Sequence, residues 1–261
     1  FFNDASLEDT YGKQFRGASA GEIDGEKWPM TRVMREFDQP DISYAEKPYG
    51  LQLTTLRPLN DKLTHVRITN SLFPNTFVIP LSESMTITQM HVPVDDTHTY
   101  WYAVFTSFAN PVDKDTMRNQ RLTAVNLPNY IPKSGQHNHW GFNPEEQMTR
   151  TFLGMGEDDI NVHDQWACES MGAIQNRTRE HLGTTDKVII ANRRMLAKAI
   201  DDAAAGSLPP GFANQATAST RFGPDTIDGI APAQDWQTWS QQTMQGKRDG
   251  APWDASIHSA P

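Results

Sequence analysis

Cysteine is nearly absent from these 261 residues: Cys168 stands alone. That excludes an internal disulfide and any site that needs two thiolates from this chain. No run of eighteen apolar residues occurs, so no segment reads as a transmembrane helix. A basic block is missing as well. Lys and Arg number 23 against 32 Asp and Glu, a formal charge of −9, which argues against nucleic acid as a partner. Apolar residues are modest at 37%, enough for a core but on the low side for a compact enzyme. There is no internal repeat. The first residues, Phe1-Phe2-Asn3, lack an initiator Met, a basic n-region and an apolar h-region. The chain therefore reads as a fragment that starts mid-protein, with a cytoplasmic location expected. Its length suits one large domain or two small ones.

What is present is mostly strand pattern, then helix pattern. Residues 50–56, 63–68, 77–79, 85–94 and 100–108 alternate or are rich in β-branched and aromatic side chains, and short turns separate them. They predict an antiparallel meander, with a hairpin at Asp95-Asp96-Thr97-His98-Thr99. Pro93 predicts an edge, a bulge or an early strand end. Later helices on one face would make the fold α+β. Residues 1–30 read as Gly-rich loop, 31–38 as a strand, and Pro40 and Pro48 as bounding a turn region. Residues 113–122 suggest a short helix or a solvated face, and 126–147 a loop. A helix is expected from Asp186 to about Ala204, with Val188, Ala191, Met195, Leu196, Ala199 and Ile200 on its apolar side. Arg193 and Arg194 would lie at the surface or meet acidic groups. Residues 205–261 read as a tail with little secondary structure that wraps a domain at 1–204, with Trp236, Trp239 and Trp253 as anchors.

The chain is organised around 157–186. Its start is acidic and polar; then Asp164, Cys168, Met171 and Gln175 follow helical spacing, as do Ala167, Met171 and Ile174. Gly183 is a stop signal, and Thr184-Thr185-Asp186 can cap a second helix. Two readings of Asp164 compete. One is a cap or first-turn carboxylate that complements the helix dipole. The other is a metal ligand, since a carboxylate suits iron when two imidazoles complete one face of the ion. His65 and His91 read as half-buried, hydrogen-bonded strand histidines, and Asp95-Asp96 as turn chemistry. His137-Asn138-His139 has a spacing that on a strand would turn both imidazoles to one side, as in cupin metal sites; in its Pro/Gly-rich setting a polar loop is the simpler reading.

Asp164, four residues and Glu169-Ser170-Met171-Gly172, then Asn176-Arg177-Thr178-Arg179-Glu180-His181-Leu182-Gly183-Thr184-Thr185-Asp186, resemble the catalytic domain of Rieske non-haem iron oxygenases of the phthalate dioxygenase branch. Val92-Pro93-Val94-Asp95-Asp96-Thr97-His98-Thr99-Tyr100-Trp101-Tyr102 is a second matching block, and the likeness covers most of 50–200. The resemblance implies a helix-grip-like fold, a twisted antiparallel sheet with long helices across one face. It also implies Asp164 as the carboxylate ligand of a mononuclear Fe(II), with no substrate-contacting or other catalytic residue assigned.

The resemblance further implies an oxygenase component acting with dioxygen on an aromatic acid or a methoxylated aromatic, by hydroxylation or O-demethylation. Electrons would come from a reductase through a [2Fe–2S] Rieske cluster, and the assembly would be a homotrimer or a dimer of trimers. One cysteine cannot build that cluster, which needs two Cys and two His, so the Rieske domain is expected ahead of Phe1. The family's iron histidines come from a His-x4-His-like motif. His65, His91, His98, His137, His139, His163, His181 and His258 show no such spacing, and the resemblance places that motif upstream too. A small-ligand binder that has lost iron, or a cupin-like enzyme using His137 and His139, are the other readings.

Overall fold

Alternating side chains between Asp41 and Ser107 form one antiparallel sheet. In the computed structural model, which describes residues 19–151, 153–156, 161–209 and 225–251, its strands are β3 (Asp41–Lys47), β4 (Gly50–Pro58), β5 (Leu63–Leu72), β6 (Thr76–Pro80), β7 (Met85–Pro93) and β8 (Thr99–Ser107). They pair in chain order, and β11 (Ile227–Pro232) joins as a seventh strand beside β5. Every pairing is antiparallel. The expected α+β class is therefore found, as is the meander through 50–108. Pro93 ends β7 opposite Thr99, where its missing N–H costs the ladder least.

β5 is the central strand. One edge pairs with β4 along its length; the other is shared, Asn70–Leu72 with β6 and Leu63–Ile68 with β11. Alternation sorts its residues into two faces. Val66 and Ile68 turn one way and, with Ile227 and Ala231, make a buried core against Leu56, Trp236, Trp239 and Met244. Burying each of the larger side chains is worth roughly 1.5–3 kcal/mol. The Trp and Met belong to a helix at Trp236–Asp249. Gly229 leaves room for it: a Cβ there would lie 2.6 Å from Cη2 of Trp239.

The chain divides into two units. One holds Pro29–Glu36 and Pro111–Glu180, the other Ser19–Trp28, Phe37–Asn110 and His181 onward. In the first are α1 (Met30–Glu36), α2 (Lys114–Thr123), α3 (Pro144–Thr149) and α4 (Asn161–Glu169). In the second, α5 (Lys187–Ala204) packs on β4, and α6 (Trp236–Asp249) packs on β11 and β5. Among the described residues no helix is long and apolar enough to cross a membrane.

Several local expectations change. Residues 31–38 are not a strand, because Met30, Val33 and Met34 are buried at helical spacing and Arg32 pairs with Glu36 one turn on at 2.9 Å. Pro40 and Pro48 do not bound a turn region; they flank β3. Within 1–30, residues 19–29 form a hairpin, β1 (Ser19–Ile23) and β2 (Glu26–Pro29). Its Asp24-Gly25 turn has φ of 51° and 83°, the mirror-image turn that matches strand twist. Residues 126–147 are not all loop: Val125–Asn126 (β9) pairs with Ile131–Pro132 (β10), Gln136–Gly141 makes tight 3-10 turns broken by a kink at Asn138–Trp140, and α3 follows. The segment after 205 holds β11 and α6, because Trp236, Trp239 and Met244 recur on one helical face and find the sheet. Trp236 and Trp239 are anchors as expected; Trp253 lies outside the described residues.

Gly50 opens β4 at φ 141°, and a Cβ there would stand 2.2 Å from the Ser71 carbonyl oxygen and 2.9 Å from the Phe73 nitrogen. Both obstacles are backbone, in the paired strand and just past its end, and cannot swing aside. Gly50→Ala is expected to cost about 3 kcal/mol or more, measured as a drop in urea midpoint; an unchanged midpoint would mean the hairpin relaxes freely.

Candidate functional site

Asp164 is the fourth residue of α4, in its first turn, and its side chain is exposed. That position suits an anion through the helix dipole, but it is inside the helix rather than at the cap. Helical spacing ends sooner than the sequence suggests: α4 stops at Glu169, and Met171 and Ile174 are exposed at 52% and 74%. His163, next to Asp164, is buried.

The end of α4 is fastened to the 133–141 segment within the same unit. The Trp140 indole Nε1–H donates to Glu169 Oε2 at 2.7 Å. Gln165 Nε2 donates to the Ser134 carbonyl at 2.7 Å and to Glu169 Oε1 at 3.1 Å. Trp140 is buried, at 8% exposure. To bring it there the backbone turns left-handed at His139, Trp140 and Gly141, with φ of 51°, 54° and 74°. Such conformations cost roughly 1–3 kcal/mol at non-glycine residues and persist only where the surroundings hold them. Asn138 helps: its Oδ1 accepts from Gly135 N at 2.9 Å and its Nδ2 donates to the Lys133 carbonyl at 3.0 Å. His137 and His139 are exposed in this 3-10 turn, not on a strand, so the alternation that would align their imidazoles does not apply.

Cys168 is a free, exposed thiol one helical turn beyond Asp164. Partial burial raises its pKa, and the carboxylates of Asp164 and Glu169 raise it further by opposing a thiolate. As for metal, no group of three or more His, Cys, Asp or Glu side chains stands close enough to hold an ion among the described residues. Asp164 offers one hard oxygen donor and no complete set.

A second constellation lies on the sheet, in the other unit, and sequence reading passes over most of it. His65, read as a hydrogen-bonded strand histidine, is fully buried, and its Nε2 is 2.6 Å from Asp228 Oδ1. The other Asp228 oxygen accepts from Arg67 Nη1, and Arg67 Nη2 donates to the Pro80 carbonyl at 2.8 Å. Strand register explains the meeting: Arg67 lies directly across from Asp228, and His65 is two residues away on the same face. Burial alone would raise the Asp228 carboxyl; Arg67, then His65, outweigh it and hold the group below the usual carboxylate range. Arg57 lies opposite His65 on β4. Burial lowers its pKa, and neighbouring Arg67 lowers it further while Asp228 opposes. Lys247 on α6 is lowered by burial too, against the pull of Asp228, Glu83 and Asp225. No signal in the sequence marks this group, because its carboxylate lies in a Pro- and Gly-rich stretch 161 residues beyond Arg67.

The Asp95 turn reading holds, and of the expected half-buried, hydrogen-bonded histidine His91 shows the half-burial. His91 is half-buried, stacked on Trp101 at 5.3 Å and edge-on to Phe77 at 5.5 Å, and burial lowers its pKa. Asp95 accepts from the Thr97 and His98 backbone N–H groups at 2.8 Å each. These turn bonds, with the His98 side chain, lower its pKa to about 2. Arg194 is exposed and Arg193 partly buried.

Two outcomes follow. Asp228→Asn is expected to destabilise the protein by about 3–5 kcal/mol at pH 7, since it leaves Arg67 without its buried counter-ion. Because the native pKa is depressed, the carboxylate's contribution is complete above an unfolded value near 3.9 and is lost as pH falls through the native one. The wild type should therefore lose more stability than the variant as pH drops below 4; parallel urea-unfolding profiles would show that the carboxylate is not the source. For Cys168, Asp164→Asn removes one charge that opposes the thiolate. Iodoacetamide alkylation should become faster in mildly alkaline buffer, with its pH profile displaced downward; an unmoved profile would separate the two groups electrostatically.

Residues 18–255 match the family model described as LigXa C-terminal domain-like. The chain is 27% identical over 227 residues to the 3-chlorobenzoate-3,4-dioxygenase oxygenase subunit of Comamonas testosteroni, covering 79% of this chain and 51% of that protein. Over 189 residues it is 27% identical to the phthalate 4,5-dioxygenase oxygenase subunit of Pseudomonas putida, covering 69% of this chain and 42% of the relative. The chain thus spans about half the length of the curated relatives it matches. With an antiparallel sheet, its packed helices and a family match along nearly the whole sequence, the chain belongs to the LigXa C-terminal domain-like family, kin to the catalytic domains of Rieske-type oxygenases.

Proposed function

We propose that residues 1–261 form the catalytic part of an oxygenase that hydroxylates or O-demethylates an aromatic acid with dioxygen at a mononuclear non-haem iron. A reductase supplies electrons through a [2Fe–2S] Rieske cluster borne by residues outside this chain. The family match over 18–255 carries the reading, and the two dioxygenase oxygenase subunits among its relatives support it. Iron, when bound, supplies the oxygen chemistry; the protein supplies ligands, orientation and a shaped site.

In this reading Asp164 is the iron carboxylate. Its exposed position on a helix anchored by Trp140 and Gln165 supports the assignment. The imidazoles that complete a facial set then lie outside the described residues, and the chain by itself is expected to be inactive.

The full-length oxygenase carrying Asp164→Asn tests this. An amide is a neutral, weaker donor than a carboxylate. Changes beyond the ligands of metal sites already cost about 10–100-fold, and a ligand change is expected to exceed that in both iron affinity and turnover. The Rieske spectrum should stay intact. Melting should change little, because a first-turn carboxylate contributes only about 0.3–1 kcal/mol through the helix dipole. Full iron occupancy with wild-type turnover would refute the assignment.

A further inference from the structure

The large sheet ends in β3 on one side and β8 on the other. An outer strand offers a row of backbone groups to another chain, and proteins guard such edges with charge, proline or a covering segment. β3 is guarded: Asp41, Glu46 and Lys47 lie on it. β8 is not. Its nine residues, Thr-Tyr-Trp-Tyr-Ala-Val-Phe-Thr-Ser, include no charge, proline or glycine, in a chain of net charge −9. No further strand pairs beyond it among the described residues, and Thr99 to Val104 are all exposed, on both faces of the sheet. Tyr100, Trp101, Tyr102 and Val104 are 47%, 39%, 52% and 49% exposed, and Val92 and Val94 beside them add 38% and 58%. The rings are ordered in advance: Trp101 stacks on His91 at 5.3 Å, and Tyr100 lies against Tyr102 at 6.0 Å. Little of their side-chain freedom is left to lose on association.

We propose that β8 is a dimerisation edge, on which a second copy of this chain lays its own β8 antiparallel to make one continuous sheet. Charge selects the occupant. Two copies that each carry −9 repel, and they approach most easily where neither presents a charge. The strand is also complementary to itself. A two-fold axis normal to the sheet keeps each face on its own side. Placed at Tyr102, it sets Tyr100 opposite Val104 and Trp101 opposite Ala103, large against small on each face, with the two Tyr102 side chains adjacent. Aromatic side chains bury 150–250 Å² each, so the exposed parts of these three rings and three valines amount to about 500 Å² per copy. Two copies bring about 1,000 Å², the least that a specific interface buries, and main-chain bonds between the strands add to it. Area at that bound gives a dimer in exchange with monomer. The contact is isologous, so it closes at two chains. The inference concerns the sheet unit and does not depend on the reading of Asp164.

Sedimentation velocity and hydrogen exchange of the 261-residue chain, over a range of protein concentrations, test it. A monomer–dimer equilibrium should appear, and amides of β8 should gain protection as the dimer fills. Tyr102→Lys and Tyr102→Glu each set like charges directly opposite one another and should weaken dimerisation at least about tenfold. Tyr102 is exposed, so neither change should shift the melting of the monomer beyond what a surface substitution does. An equimolar mixture of the two variants should associate more tightly than either alone, because Lys then faces Glu across the axis; two misfolded chains would not do this. A monomer at every concentration would overturn the proposal and leave the edge to a different partner. So would a trimer, or a dimer that both variants leave unchanged, since either places the contact elsewhere. A mixture no tighter than its components would overturn it as well.

Discussion

The pairing of β11 with β5 through Arg67 and Asp228 is the constraint on which the sheet unit depends. It joins positions 161 residues apart and places a salt bridge and a histidine in the interior of a sheet. The carboxylate is fully desolvated, which alone would cost several kcal/mol. Two partners, Arg67 and His65, offset that cost and hold the carboxyl below its usual range. On the reverse face of the same two strands, Val66, Ile68, Ile227 and Ala231 close a core on the tryptophans of α6. One register therefore sets both faces. A slip by one residue would exchange the polar set for the apolar set, so the charged pair and the core specify the same alignment.

The lock extends to the start of β11. Asn70 is fully buried; it accepts from the Tyr49 hydroxyl at 2.7 Å and donates to the Asp225 carbonyl at 2.7 Å. Arg248 bonds the Asp225 carboxylate, and Lys247 bonds the Thr226 carbonyl at 3.3 Å. Basic residues at the end of α6 thus hold the entry to the strand that α6 covers, while also complementing the negative end of the helix. A helix, a strand and a hairpin are tied by polar contacts on one side and apolar contacts on the other. A segment that looks like a tail in sequence is part of the sheet's core.

The other unit uses a different device. Its helix α4 carries Asp164 near the N-terminal end and is fixed near its C-terminal end by Trp140 and Gln165. A left-handed backbone run at 139–141 aims the indole. The exposed carboxylate and the raised thiol of Cys168 share one face of this short helix, a turn apart, while His163 is buried beside them. Kinship with aromatic oxygenase subunits gives that face its proposed use; the complete ligand set is not among the described residues.

The sequence by itself determined the elements whose signal repeats locally. Strands β4 to β8 follow from period-two alternation, α5 from period-3.6 spacing, and the Asp95 turn from side-chain bonds two and three residues ahead. The two blocks around Asp164 and His98 also carried the family. Short or isolated elements escaped: α1 spans too few residues to show its period against a strand reading, and the six residues of β11 lie among turn formers. What only the tertiary structure decided is partnership. That His65 meets Asp228 and that Trp140 reaches Glu169 depend on register and on backbone turns between residues 163 and 29 positions apart. Local propensity cannot encode such meetings, because they are fixed only when the apolar faces of distant segments are buried together.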